Sequence, residues 1–295
     1  IRLADRVSTV SATYAEEICR PSDTSTGFIG GEGLERLLAE ARDGGRLVGI
    51  LNGCEYDRPK ARRPGWMRLL AMLEAQLHDW QQRDPDNEAH MLARQRISAF
   101  PKRRPLHLLT SIGRLVAQKA SLLLLDAEKG ASPLQALSET LGRSSVIVIL
   151  GSGEPLFEKR MLEVAHRCPN VLFLNGYSEL LSDPLYAAGD LFLMPSSFEP
   201  CGISQMLAMR NGNPCLAHAT GGLNDTISHL KTGFLFGGGS YQEKITQLQQ
   251  VFDEAFDLFR KEPKTWEQIR NRARKQRFTW RKSVDAYYRD LYGIS

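Results

Sequence analysis

The sequence predicts an α/β fold in which a parallel sheet carries helices on both of its faces. Short apolar runs alternate with helix-like segments four or five times along the chain. The runs lack polar alternation, which is typical of strands buried on both faces, and glycine or polar residues follow them. The chain has 295 residues, which is long enough for one large or two ordinary domains. Of these residues, 42% are hydrophobic and 24% are charged, as in a globular protein.

Five apolar runs are the predicted strands. They are 106–109, the β-branched run 146–149, and the apolar parts of "NVLFLNGY", "DLFLMPSSFEP" and "NPCLAHATGG". Helices are predicted between them at 156–168, 179–188 and 203–210. In "YQEKITQLQQVFDEAFDLFRK", apolar residues recur at three- and four-residue steps, which predicts a helical C-terminal third.

The segment 58–104 has the weakest pattern in the chain. Its ends are basic and rich in proline, and between them lies the amphipathic stretch "WMRLLAMLEAQLHDW". This pattern predicts a linker plus one helix.

Composition and charge argue against several classes of protein. The 38 basic and 34 acidic side chains leave a net charge of +4, which is too small to indicate a nucleic-acid partner. The five cysteines include no CxxC pair and the six histidines show no metal-ligand spacing, so we expect reduced thiols in a cytoplasmic protein without a metal site. No run approaches the roughly 20 apolar residues that span a bilayer. The chain begins without methionine or a signal peptide, and we expect it to be a piece of something longer.

Glycines follow most of the predicted strands. In an open parallel sheet, ligands bind beyond the carboxyl ends of the strands, and helix N termini there present N–H groups that suit phosphate. Each glycine alone also fits an ordinary turn, so the prediction of an anion site depends on their convergence on one rim. The glycines expected there are Gly151, Gly153, Gly176, Gly202, Gly221 and Gly222.

Two cations belong to the same predicted rim. Arg114 would lie in the loop after a strand, and Lys119, five residues later, would open the next helix. A lysine is unfavourable at a helix N terminus unless an anion lies nearby, so the pair predicts an anion between the two side chains. Two solvated surface cations are the alternative.

The motifs along the chain resemble those of a known family. "IGRLVAQK", "GSGEP", "FEPCGISQMLAMR", "TGGLNDT" and "FTWRKSVDAYYRDLY", in this order, resemble the C-terminal half of bacterial glycogen synthases and plant starch synthases, which are retaining glucosyltransferases of the GT-B architecture. "ADRVSTVSATYAEEI" resembles the last strand and helix of the family's N-terminal domain, and "LVGILNGCEYD" resembles its crossover. Only about 58–104 lies outside the resemblance.

The resemblance implies a domain organisation. Residues 1–57 would be the end of the acceptor-side N-terminal domain with the crossover. Residues 58–276 would be a Rossmann-like domain that binds the nucleotide sugar, and 277–295 a C-terminal helix that returns toward the N-terminal domain.

The resemblance also implies roles for individual residues. Arg114 and Lys119 match the pair that grips the donor diphosphate, and Glu199 matches the carboxylate beside the transferred glucose. Tyr177 would lie beside the base, Asn52 in the interdomain cleft, and Thr220 with its two glycines on the nucleotide side. The implied substrate-binding residues are Asn52, Gly113, Tyr177, Cys201, Gly202, Ile203, Ser204, Thr220, Gly221 and Gly222.

The implied reaction moves glucose from ADP-glucose to the non-reducing end of an α-1,4-glucan with retention. Two cations neutralise the leaving group, so neither a metal nor a cofactor is expected. No clear nucleophile is visible, which favours same-face attack with the departing diphosphate taking the proton; double displacement stays open. The family's N-terminal "KxGGL" loop is not in these 295 residues, so we expect the chain alone to be inactive.

Several departures and alternatives accompany this interpretation. Ser197 stands where the family usually has arginine, and Leu207 stands where the broader group often has a ribose-binding glutamate. Glu199 would also fit a helix cap, and Tyr177 an ordinary strand-end aromatic. The alternative functions are a retaining GT-B transferase that uses a UDP- or GDP-sugar, and a non-catalytic relative that binds nucleotide or glucan.

Overall fold

A computed structural model describes residues 1–24, 26–56, 63–125 and 130–294. The predicted domain boundary at residues 57 and 58 lies outside the described residues. In chain order the elements are β1 (Val7–Thr9), α1 (Ala12–Glu17), α2 (Glu35–Asp43), β2 (Leu47–Gly49), α3 (Trp66–Arg83), α4 (Glu88–Ala99), β3 (Leu108–Ile112), α5 (Ala117–Leu124), α6 (Pro133–Leu141), β4 (Val146–Gly151), α7 (Pro155–Arg167), β5 (Val171–Asn175), α8 (Glu179–Ala188), β6 (Leu191–Met194), α9 (Ser204–Arg210), β7 (Cys215–His218), α10 (Gly221–Thr226), β8 (Gly233–Phe236), α11 (Tyr241–Lys261), α12 (Pro263–Lys275), α13 (Trp280–Ala286) and a π-helix (Tyr287–Tyr292).

The main sheet has six parallel strands in the order β5-β4-β3-β6-β7-β8. Counted within this sheet, the order is 3-2-1-4-5-6, the doubly wound arrangement in which the winding direction reverses between β3 and β6. β3 pairs with β4 from Leu108 opposite Val146, and with β6 at Leu109 opposite Leu191. The predicted α/β fold class is therefore confirmed, and the loops after β3 and β6 meet at the switch point.

A separate pair of parallel strands, β1 and β2, lies at the start of the chain. The helices α1 and α2 connect the two strands, and α1 contacts both β2 and α10. Through α1, this N-terminal part reaches the main sheet's functional edge.

The predicted helices within the sheet region agree with the structure to within a residue or two at each end, as α7, α8 and α9 show. Two strand predictions differ. β3 begins at Leu108 and continues through the polar pair Thr110 and Ser111, because Thr110 is fully buried whereas Leu106 is exposed. The edge strand β8 was not predicted, although at four residues "GFLF" is as long as β6 and β7.

The prediction of a linker plus one helix at 58–104 is wrong in its helix count. The described part of this segment holds α3 and α4, which pack on each other and on one face of β4 and β5. Leu73 and Leu77 of α3 are completely buried. The buried face of α4 consists of Ala89, His90, Ala93 and Ile97, and so few large apolar residues give a weak helical signal.

The opposite face of the sheet is covered mainly by α5, α6, α7 and α11, whose apolar side chains join those of β3, β4 and β8 in the largest core cluster. Nothing in the described ranges is both helical and apolar over a length that could cross a membrane. The two packed faces leave the carboxyl ends of the strands accessible between the layers.

Candidate active site

A cleft of about 700 Å³ lies at the carboxyl ends of β3, β4 and β5. Its lining includes Gly113 and Arg114 after β3, Tyr177 after β5, Tyr186 of α8 and Ser204 of α9. A pocket of about 80 Å³ adjoins it, shares Gly113, Arg114 and Ser204 with it, and extends to Lys119 and Ser196. The cleft is therefore at the switch point, where a doubly wound sheet binds its ligand.

Arg114 lies in the loop after β3, as the sequence predicts. Its side chain is exposed and lines both cavities. Among the described residues it forms no hydrogen bond or ion pair, so the planar set of donors on its guanidinium group is available to an anion.

Lys119 and Glu199 form an ion pair across the switch point. Lys119 is in the first turn of α5, and its ammonium group donates to Glu199 Oε2. The Glu199 side chain is only 8% exposed and also accepts from Ser196 Oγ at 3.2 Å. The partner of this unusual helix-start lysine is thus a carboxylate of the protein itself, where the sequence suggested only an anion shared with Arg114.

The alternative role of Glu199 as a helix cap is not what the structure shows. The N-cap residue of α9 is Ile203, and within the described part of the chain no side chain caps this helix. Gly202 before it has φ +73°, a left-handed conformation that favours glycine. Ile203 is exposed and Ser204 lines both cavities, so the uncapped start of α9 lies at the cleft.

Four predicted substrate-binding residues are buried away from the two cavities. Gly222 N–H donates to the carbonyl oxygen of Glu199 at 3.0 Å, and a Cβ on Gly222 would overlap the carbonyl of Cys201. Cys201 packs with Cys54 and Met206, and burial raises the pKa of its thiol. Cys201 is a buried part of the Glu199 loop (residues 195–203), and Thr220, Gly221 and Gly222 are buried beside that loop.

Helix α1 and its N-cap residue supply contacts to this loop and to the start of α10 that the sequence did not reveal. Glu17 is buried, and its Oε1 accepts from Thr220 Oγ and from Gly221 N–H, both at 3.0 Å. Ser11 Oγ donates to the carbonyl of Pro200 at 2.6 Å. Tyr14 meets the ring of Phe198 edge-on at 5.6 Å. The only sequence signal for these contacts is the family-like stretch "VSATYAEEI".

His218 supports the loop from the β7 side. Its Nδ1 lies 3.2 Å from the carbonyl oxygen of Ser196, so this nitrogen carries the proton and donates. Burial, together with the charge of Lys244, lowers the pKa of His218 to about 4. The ring is therefore neutral at pH 7 and serves as a hydrogen-bond donor to the segment that holds Glu199.

Tyr177 and Asn52 line two different cavities. Tyr177 follows β5, lines the large cleft, is 73% exposed, and donates from its hydroxyl to Glu179 at 3.1 Å. Asn52 lines a different cavity of about 430 Å³, formed with Arg277 and Ser283. The structure thus brings Gly113, Arg114, Tyr177 and Ser204 to one cleft and leaves Asn52 outside it.

Metal-ligating side chains do not gather in the described residues: no group of three or more His, Cys, Asp or Glu is placed to hold an ion. The polar groups along the two cavities include the guanidinium of Arg114, the ammonium of Lys119, several hydroxyls, and the carboxylates of Glu179 and Asp183.

Comparisons with known proteins identify relatives over almost the whole chain. The family model "Glycosyl transferases group 1" matches residues 94–276, and "Starch synthase catalytic domain" matches residues 1–40. The glycogen synthase of Hydrogenovibrio crunogenus is 34% identical over 294 residues, which are 97% of this chain and 56% of that protein. The glycogen synthase of Desulfitobacterium hafniense is 34% identical over 98% of this chain and 54% of its own length. The chain thus spans about half the length of these curated relatives.

Solved structures give the same picture. The catalytic domain of starch synthase IV from Arabidopsis thaliana, bound to ADP and acarbose, matches with a TM-score of 0.65 and 27% identity, over 98% of this chain and 55% of that one. The Anabaena protein HepE in complex with UDP-glucose matches with a TM-score of 0.61 and 19% identity, over 99% of this chain and 65% of that one. At that identity the second match shows the shared fold alone.

Proposed function

This chain belongs to the glycosyl transferases group 1 family, and on that premise we propose that it is the donor-binding half of a glycogen synthase. The reaction transfers glucose from ADP-glucose to the non-reducing end of an α-1,4-glucan and retains the α configuration. The glycogen synthase relatives and the ADP-bound starch synthase support this choice within the family.

The observation that carries the proposal is the placement of Arg114, Lys119 and Glu199 around one switch point. Arg114 follows β3, Lys119 opens α5, and Glu199 lies in the loop after β6. When a nucleoside diphosphate departs, negative charge builds on its phosphate oxygens, and preorganised cations stabilise that charge. The uncapped start of α9 beside the same pockets adds backbone N–H groups to the set.

In the Lys119–Glu199 pair, only the lysine side chain lines the pocket. Lys119 lines the smaller pocket, and the buried carboxylate of Glu199 lies behind it. A donor sugar that enters from the cleft would therefore meet the ammonium group first. We propose that Lys119 then shares its donors between Glu199 and the diphosphate, while Glu199 holds the glucose near its anomeric carbon.

In the proposed step, the bond between the anomeric carbon and the diphosphate oxygen breaks. The bond from that carbon to the acceptor's 4-hydroxyl oxygen forms on the same face. The hydroxyl proton passes to the departing diphosphate, so atoms and charge balance without a protein nucleophile.

The proposed organisation has the acceptor-side part at 1–57, the donor domain at 58–276 and the returning helix at 277–295. An exposed apolar face on the C-terminal helices supports the proposal that they return to the acceptor-side domain. Trp280, Val284, Tyr288 and Tyr292 recur every four residues and are all exposed, which forms an apolar stripe. We propose that the stripe packs on the rest of the acceptor-side domain.

All five cysteines are free thiols, which supports the proposed cytoplasmic location.

Calorimetric titration of this chain with ADP, UDP and GDP tests the donor. We expect ADP to bind more tightly than the other two. If UDP or GDP binds more tightly, the proposed donor becomes a UDP- or GDP-sugar. If none of the three binds, the nucleotide-sugar assignment is overturned.

Incorporation of labelled glucose tests whether this chain holds only the donor-binding half of the active site. We expect the purified 295-residue chain to bind ADP but not to add glucose to glycogen. Incorporation by this chain alone would contradict the proposal that the acceptor-side domain completes the site.

A further inference from the structure

The hairpin of α3 and α4 lies directly behind the loop that carries Tyr177. This base-end loop, residues 175–178, receives one contact from each of three hairpin side chains. His90 Nε2 donates to the carbonyl of Asn175 at 2.7 Å, and Ser178 Oγ donates to Gln76 Oε1 at 2.7 Å. The indole of Trp80 packs so closely on Gly176 that a Cβ there would lie 2.8 Å from it. Three of the four loop residues are therefore held by side chains of the hairpin.

The hairpin itself is anchored at its other end. Arg63 before α3 and Arg104 after α4 both pair with the buried carboxylate of Asp190, Arg104 at 2.7 Å. Asp190 also accepts from Leu108 N–H at 2.9 Å, at the start of β3. The basic ends of the segment are thus fixed at the bottom of the sheet, and its packed helices reach up to the base-end loop at the top.

The ring of Tyr177 depends on that loop for its position. The side chain is 73% exposed and lines the cleft, so few neighbouring atoms fix it directly. Arg114 and Ser152 lie along the same cleft. A displacement of the loop backbone would move the Tyr177 ring relative to these cleft residues, and with it the surface on which a flat ring could stack.

We propose that the α3–α4 hairpin is the base-specificity element of this cleft, and that Gln76, Trp80 and His90 are positioning residues that act through Tyr177. The proposal rests on the proposed function, because it takes the cleft's ligand to be a nucleoside diphosphate. Neither family model, at 1–40 and 94–276, includes α3. The hairpin's contacts with residues 175–178 give it a task in the site.

The first test uses Gln76→Ala, which removes the acceptor for Ser178, with Gln82→Ala as the matched control. Gln82 is on the same helix, but its side chain is exposed and contacts His78. Affinities for ADP, UDP and inorganic pyrophosphate are measured by calorimetry. Because base stacking is sensitive to ring position, we expect Gln76→Ala to weaken ADP binding by roughly three- to tenfold. Its ratio of ADP to UDP affinity should change, and its pyrophosphate affinity should not.

The second test is a double-mutant cycle of Gln76→Ala with Tyr177→Ala. If the hairpin acts through the tyrosine ring, Gln76→Ala should have little further effect on ADP affinity once Tyr177 is removed. Additive losses, an equal loss for ADP and pyrophosphate, or a loss of the same size in Gln82→Ala would each overturn the proposal.

The two proposals fail in different ways. If the unaltered chain binds no nucleoside diphosphate, the proposed function fails and the hairpin's role fails with it. If the unaltered chain binds ADP and Gln76→Ala binds it equally well, the hairpin's role alone is wrong.

Discussion

The two halves of the sheet's upper rim differ in how they are packed. The half above β3, β4 and β5 borders the 700 Å³ cleft, and Arg114 and Tyr177 extend from it into solvent. The half above β6 and β7 is largely buried, except at Ile203 and Ser204, where α9 starts, and Glu17 and Ser11 of the N-terminal part hold its loops through hydrogen bonds. The sequence has similar glycine-containing loops in both halves, so packing alone separates them.

The difference corresponds to two physical demands. A nucleotide needs an accessible cleft with donors that are not already occupied, and Arg114 meets that need. A buried carboxylate such as Glu199 needs permanent partners, because an unpaired charge away from water is costly. The bonds from Lys119 and Ser196 provide these partners to the carboxylate before any ligand binds, while the N–H of Gly222 holds the backbone carbonyl of Glu199.

The largest expected effect comes from Glu199→Gln, in a protein that also contains the acceptor-side domain. We expect kcat to fall by about two to three orders of magnitude, or roughly 3–4 kcal/mol of transition-state stabilisation. ADP affinity should stay nearly unchanged because ADP lacks the sugar. Glu163→Gln, on the exposed side of α7, is the control. A lowered melting temperature with near-normal kcat would mean that Glu199 is only structural.

The buried half should tolerate added volume poorly. Gly222→Ala places a methyl group against the carbonyl of Cys201, whereas a Cβ on Gly113 has no atom within 4 Å among the described residues. We expect Gly222→Ala to lower the free energy of unfolding by about 3 kcal/mol and Gly113→Ala to change it by less than about 0.5 kcal/mol. Denaturant titration measures both. Equal effects would remove the distinction between the two halves.

The two rim cations should respond differently to truncation. Arg114→Ala and Lys119→Ala should each weaken ADP binding by about 1.5–3 kcal/mol, the scale of a charge-assisted hydrogen bond. Only Lys119→Ala should also lower the melting temperature, because it leaves the buried Glu199 without its cation. Calorimetry and thermal unfolding on both variants check this. Normal ADP binding by both would show that the diphosphate lies elsewhere.

The smallest expected effect is a pH dependence from His218. Its pKa is lowered from 6.5 to about 4 in the folded state, so the unfolded chain binds the proton more readily. Its contribution to stability is complete above pH 6.5 and is lost as the pH falls toward 4. Between pH 7 and pH 6 we expect a loss of about 0.7 kcal/mol from this group. Denaturant unfolding at both pH values should show this difference in the parent and in the exposed control His78→Gln, and not in His218→Gln.

Much of the fold could be predicted because its signals are local. A buried strand such as 146–149 shows itself in its own β-branched residues, and α11 shows its period within one stretch of sequence. α4 was missed for the same reason, because it buries mostly small side chains and its period is weak. β8 was missed although it is as long as the predicted strands β6 and β7.

The sequence by itself determined which residues follow the strands, and hence that Gly113, Arg114, Tyr177 and Ser204 lie near one another at the carboxyl edge of a parallel sheet. Only the tertiary structure decided which rim loops are open and which are buried, because those contacts join distant parts of the chain. Glu17 and Gly221 are 204 positions apart, and Gln76 and Ser178 are 102 apart. Local periodicity fixes the end of a strand, but the partner that buries or exposes that end is fixed by packing between elements, which no short stretch of sequence records.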